Sequence, residues 1–140
     1  MRRWVLLFLV LSLTTIGCSS EVARLPVVRV TGSATFQNAP AAGAMLVFHP
    51  QGGESLTRQL RPLATVQNDG SFTAYTYDYG DGLPTGDYAI TVHWFRAGGD
   101  NEGDTQTSRI AAKYAKPETS GLKATITSGD NTLSPIVLTR

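Results

Sequence analysis

The sequence predicts an all-β domain, a β-sandwich of about seven strands, and three observations predict it. No long segment repeats apolar residues at helical spacing. Short runs alternate apolar with polar residues instead, the signature of half-buried strands. Gly, Pro, Asn and Asp separate those runs at hairpin intervals.

The elements follow in chain order. Val28, Val30, Ala34 and Phe36 alternate with Arg29, Thr31, Ser33 and Thr35, with Gly32 breaking the run. AMLVFH (Ala44 to His49) is a second strand, nearly apolar throughout. A short third lies near Leu63 to Val66, and Asn68-Asp69-Gly70 then forms a hairpin turn, because Asp-Gly tolerates positive φ. SFTAYTY (Ser71 to Tyr77) leaves that turn as a fourth strand. YAITVHWF (Tyr88 to Phe95) is the fifth, with Tyr88, Ile90, Val92 and Trp94 on one face, expected to point between the sheets. LKATIT (Leu122 to Thr127) and LSPIVLT (Leu133 to Thr139) flank a turn at Ser128 to Asn131. Arg109 to Tyr114 is the lone candidate for a helical turn. It lies in a connection, Arg96 to Ser120, that is long for a compact domain, and such loops are commonly functional or disordered.

The chain opens MRRWVLLFLVLSLTTIGCSS. Arg2 and Arg3 are followed by an apolar run from Trp4 to Leu13, then by small and β-branched residues up to Cys18, the parts of a secretory signal. The run is about half the roughly 20 apolar residues that a membrane-spanning helix needs. Cys18 is the single cysteine, so it forms no disulfide within the chain. Thr15-Ile16-Gly17-Cys18 resembles a bacterial lipobox, with threonine where leucine is usual. The resemblance implies that cleavage leaves Cys18 as the first residue, bearing diacylglycerol and an N-linked chain of the palmitate kind. Each buried methylene contributes ~0.8 kcal/mol, and stable anchoring takes more than one chain. The alternative is an ordinary cleaved signal that leaves a free thiol. No folded element or nearby histidine supports a catalytic Cys18. Beyond Arg2 and Arg3 nothing resembles a twin-arginine signal. Ser19, with no aspartate after the cysteine, resembles the pattern sorted to the outer membrane in well-studied diderm bacteria.

These segments divide the chain into a lipoprotein signal peptide at 1–17, a lipid-anchored tether at 18–26 and one domain at 27–140, long enough for a real core. Removing Arg2 and Arg3 from the 12 basic side chains leaves 10, against 11 acidic ones that all follow residue 18, for a net formal charge of about −1. With no run of lysine or arginine, a nucleic-acid partner is not expected.

Val30-Thr31-Gly32, Asn38-Ala39-Pro40, Gly43-Ala44 and Val47-Phe48 resemble the start of a carboxypeptidase-regulatory-like, transthyretin-like domain. TVQNDGSF (Thr65 to Phe72) is similar to that family's strand–Asp-Gly–strand hairpin, and LPTGDYAITV (Leu83 to Val92) to its Pro-x-Gly-x-Tyr lead-in to a central strand. The resemblance covers most of Val28 to Leu138. It is nearest to small lipoproteins of planctomycete-type bacteria, which also carry a segment like KYAKPETSGL (Lys113 to Leu122). It implies a seven-stranded Greek-key sandwich of the transthyretin (prealbumin) kind, generally non-catalytic and often accessory to an enzyme or surface protein. Fold alone does not give function.

Few residues offer chemistry. His49 and His93 are the only histidines and are expected as partly exposed strand residues. Two enzymes on related sandwiches fail on their motifs. Hydroxyisourate hydrolases end in Tyr-Arg-Gly-Ser, whereas this chain ends Val137-Leu138-Thr139-Arg140; intradiol dioxygenases use a close His-x-His pair that is absent. No serine sits in a Gly-x-Ser-x-Gly elbow, and Ala97-Gly98-Gly99 lacks the context of a phosphate loop. Asp100, Glu102 and Asp104 alternate on a loop and could ligate calcium through oxygen, but no bidentate glutamate follows at EF-hand spacing. They are expected as a solvated loop, and Asp78 and Asp81 as turn formers. No metal, cofactor or catalytic residue is expected. Tyr75, Tyr77 and Tyr79 recur at spacing two and share a face if their strand continues, either covered by the long connection after Phe95 as a minor core or exposed to stack a sugar or dock a partner. The function expected is therefore a non-enzymatic protein of the cell envelope. It is exported, held on a membrane through Cys18, and acts in structure or in interaction with a protein partner. The alternative is a carbohydrate- or small-ligand-binding module that uses Tyr75, Tyr77 and Tyr79.

Overall fold

Pairing of short alternating strands builds two sheets, as the patterning requires, although the strands are shorter and more numerous than expected. The computed structural model of the chain describes residues 23–53, 55–96 and 107–140. The signal peptide at 1–17, Cys18 with the tether up to residue 22, Ala97-Gly98-Gly99, and Asp100, Glu102 and Asp104 lie outside the described residues.

β1 (Val30–Phe36) is the centre of the first sheet. A two-residue turn at Gln37 and Asn38, both at positive φ (52° and 62°), folds it back into β2 (Ala39–Pro40). β5 (Ser71–Thr73) continues along the same flank, pairing antiparallel with Thr31 to Ser33. The other flank takes β8 (Asn131–Thr132) and β9 (Ile136–Leu138), both parallel to β1. The expected strand Leu133 to Thr139 is thus shortened to Ile136–Leu138, and β8 precedes it, taking in Asn131 of the expected turn. Pro135 has no N–H to give a ladder, so pairing resumes only at Ile136.

The second sheet is antiparallel, in the order β4 (Leu63–Thr65), β3 (Met45–Pro50), β6 (Gly86–His93), β7 (Leu122–Ile126). Two turns that look like simple hairpins carry the chain between sheets. At Asn68-Asp69-Gly70 the hairpin closes at both ends: Gln67 N–H donates to Ser71 O at 2.7 Å, and Leu63 and Tyr75 exchange bonds at 2.9 and 2.8 Å. Between those points it opens, so that β4 joins β3 and β5 joins β1. The turn after β7 is held by Asn131, whose Oδ1 accepts the Thr127 N–H at 3.0 Å and whose Nδ2 donates to Thr127 O at 2.9 Å. It delivers β8 to the opposite sheet.

One apolar core joins the sheets. Val30, Ala34, Phe72, Ile136 and Leu138 enter it from the first, and Leu46, Phe48, Ala64, Tyr88, Ile90, Val92 and Ile126 from the second. Tyr88, Ile90, Val92 and Trp94 do point between the sheets, in the alternation expected of them. The Phe48 and Tyr88 rings meet edge-to-face at 6.2 Å, and the Tyr88 hydroxyl donates to Pro84 O at 2.8 Å, so the one polar atom of that buried ring is satisfied. Ala89 and Thr91, on the other face of β6, are also buried. The connection after Phe95 packs back on β6 through a 3-10 turn at Ala112–Ala115 and α2 (Pro117–Ser120). The helical turn expected at Arg109 to Tyr114 is therefore present but displaced. A one-turn helix α1 (Ser55–Gln59), too short to show a period, was not expected. Among the described residues no helix is long and apolar enough to cross a membrane.

Candidate functional site

The three tyrosines do not form one stripe, because the strand that would align them stops at Thr73. Asp81 is the cause. Its Oδ1 accepts the Thr76 N–H at 2.7 Å, and its Oδ2 accepts the N–H groups of Tyr77 and Asp78, both at 3.0 Å. The Thr76 hydroxyl donates to Gly82 O at 2.6 Å and closes the loop. These amides would otherwise seek a sheet partner, so the carboxylate competes with strand extension and wins. Asp81 is a turn former, as its position suggests. The loop is pinned against Val28, just before β1, by close backbone approach. Gly82 has φ +105°, and a Cβ there would lie 1.9 Å from Val28 O, so no larger residue fits.

Two of the three tyrosines come together. The Tyr75 and Tyr79 ring centroids are 5.6 Å apart at 44°, and Tyr79 is 74% exposed. Tyr77 faces elsewhere, and its hydroxyl accepts the Leu25 N–H at 2.8 Å. The Arg24 guanidinium lies over its ring, 5.1 Å from the centroid, and reaches Asp78 Oδ2 at 3.0 Å. With both partners largely exposed, that ion pair contributes only ~0–1 kcal/mol. Among the described residues the cover over Tyr77 thus comes from the segment before β1. Arg24 and Leu25 are site residues that sequence reasoning did not find, since nothing local in the tether announces contacts with residues more than fifty positions away.

The histidines lie on the outer face of the second sheet. His49 Nε2 is 2.9 Å from Thr91 Oγ1. Burial holds His49 below the usual histidine range; the positive charge of Arg61 and the neighbouring His93 add to this, and Glu118 opposes them. His93 stacks obliquely on Phe95 at 6.3 Å. Among the described residues no three His, Cys, Asp or Glu side chains converge in a way that could hold a metal ion.

No family model matches the chain, and no curated protein does. Among solved structures it is similar to the crystal structure of a DUF3823 family protein from Parabacteroides merdae, at 16% identity and a TM-score of 0.42. The likeness covers 83% of this chain and 46% of that one, so the chain spans about half that protein's length.

Proposed function

We propose that the chain is a non-enzymatic envelope lipoprotein. Its two-sheet domain, a Greek-key sandwich of the transthyretin-like, carboxypeptidase-regulatory-like type, serves as a structural or protein-interaction module. Export through the signal peptide and anchoring at Cys18 would put it on the periplasmic side or at the outer membrane, beside a protein partner. The observation that carries this reading is the docking of Arg24 and Leu25 on Tyr77 and Asp78. The chain becomes fixed to the domain six residues after Cys18, and a segment that short spans at most about 20 Å. A lipid there would hold the domain close to the bilayer by its Tyr77 side, a geometry suited to a displayed module.

Replacement of the anchor tests this. Cys18→Ala should leave an unprocessed precursor without lipid, read by detergent partitioning and by the intact mass of the product. A wild-type protein that is soluble, cut elsewhere and carries a free thiol would overturn the lipoprotein reading. Crosslinking in native membranes should then capture a protein neighbour of the wild type.

A second reading has one favourable observation, the exposed Tyr79 ring beside Tyr75. Two adjacent tyrosines could stack a sugar. Tyr79→Ala should stay folded and lose glycan binding, and an unchanged glycan profile would remove this reading.

A further inference from the structure

Phe36, Trp94, Arg96, Arg109 and Arg140 line an open cavity of about 390 Å³ at the end of the sheets where β1 and β6 finish. A second hollow of about 200 Å³ shares the same three arginines with Ser108 and Ile110. The fold brings the guanidiniums together by three backbone routes. Arg96 N–H donates to Thr107 O at 3.2 Å and Arg109 N–H to Trp94 O at 2.8 Å, so the chain returning from the long connection lies against the end of β6. Ala111 N–H donates to Thr139 O at 3.1 Å and fixes the segment that ends in Arg140. The Arg109 guanidinium is held over the Trp94 indole, 4.9 Å from the ring centroid.

All three arginines are exposed, and among the described residues none of their guanidiniums has a hydrogen bond or an ion pair. The ion pair present among those residues, Arg24 with Asp78, belongs to the tether contact. Beyond residue 18 the chain carries slightly more acid than base, so three arginines around one hollow, with no ion pair among the described residues, are a local concentration of charge, not an overall excess. Like charges that line one hollow repel, and an anion between them reduces the repulsion. The planar guanidinium fork matches the paired oxygens of carboxylate and phosphate. Stacking on Trp94 limits the freedom of Arg109 before any ligand arrives, which lowers the entropy lost on binding.

We propose that Arg96, Arg109 and Arg140 form a binding site for an oxyanion, a carboxylate or phosphate carried by a soluble small molecule or by an anionic polysaccharide. The site is independent of the anchor at Cys18 and of the Tyr75–Tyr79 pair.

Calorimetric titration of the full chain at low ionic strength with inorganic phosphate, citrate and polygalacturonate tests it. Saturable binding of at least one of these anions is expected, weakening as salt is added. The double variant Arg96→Gln/Arg109→Gln should bind at least about tenfold more weakly. Arg58→Gln, on α1, should bind like wild type. Because Arg109 also stacks on Trp94, Arg96→Gln and Arg140→Gln are measured singly as well, and each should weaken binding while melting like wild type. Tighter binding of polygalacturonate than citrate per carboxylate identifies a polymer ligand, and the reverse identifies a small one; both uphold the site. No saturable binding of any of the three anions, or equal loss in Arg58→Gln, overturns it.

Discussion

Trp94 shows how much one side chain can hold in a domain of this size. Its ring is 8% exposed, meets Phe36 edge-to-face at 5.6 Å, and donates from Nε1 to Ala42 O at 3.0 Å. Trp94→Ala should destabilise the fold by ~3–5 kcal/mol, the usual range for emptying a large buried aromatic. With only about 5–15 kcal/mol of total stability for a domain of this kind, the variant should be partly unfolded in thermal melts. Tyr79→Ala, at the exposed ring, should melt within about 0.5 kcal/mol of wild type. A Trp94→Ala protein with the wild-type melting temperature would mean that the indole is not a core residue. Tyr88 adds a pH dependence. Burial pushes its phenol up to about 12. An unfolded tyrosine ionises near 10, so between about pH 10 and about pH 12 the unfolded chain releases this proton while the folded chain keeps it. The resulting stability is fully present below about pH 10 and is lost as pH rises toward 12. The melting temperature should fall across that window, and Tyr88→Phe should flatten the fall while lowering stability at neutral pH through the lost bond to Pro84. A decline as steep in Tyr88→Phe as in wild type would assign the titration to other groups.

At the scale of elements, the Asn68-Asp69-Gly70 turn decides where the chain leaves one sheet for the other. Gly70 has φ +88°, and a Cβ there would meet Pro40 Cβ at 3.3 Å. Asp69 Oδ1 accepts both the Ser71 N–H at 2.9 Å and the Ser71 hydroxyl at 2.7 Å, which holds its carboxyl below the usual range. Gly70→Val should lower stability by ~1 kcal/mol or more, because a β-branched residue resists positive φ. Denaturant unfolding checks it, and an unchanged midpoint would mean that the turn relaxes without strain. This turn was legible because its signal is local, two residues that permit one backbone shape. β6 was legible for a related reason: its eight residues are long enough for a period of two to show which face is buried. SFTAYTY misleads because the alternation continues in letters after the ladder has stopped, and the cause, Asp81, lies four residues beyond Tyr77 where a count of apolar positions does not look. The turn at Ser128 to Asn131 reads as a hairpin from sequence, since nothing in it encodes which sheet receives the next strand.

For the whole molecule, two sheets around one core were legible, and the pairing of the first strand with the last was not. The arginine hollow was hidden for the same reason as the Tyr77 contact: its members converge only through long-range pairings. The position of β1 has a consequence for how the protein is made. One flank of β1 is filled by β2 and β5, but the other waits for β8 and β9, and Thr31 lies beside Thr132, 101 residues later. Closing so large a loop must precede any gain from that pairing, and folds dominated by such contacts form slowly. A chain that emerges from its amino end, from a ribosome or through a translocation channel, therefore presents β1 with an open edge until β8 and β9 are free. Completion of the first sheet is tied to release of β9, so a truncation that removes Ile136 to Leu138 should leave a sticky half-built sheet for chaperones and proteases to find.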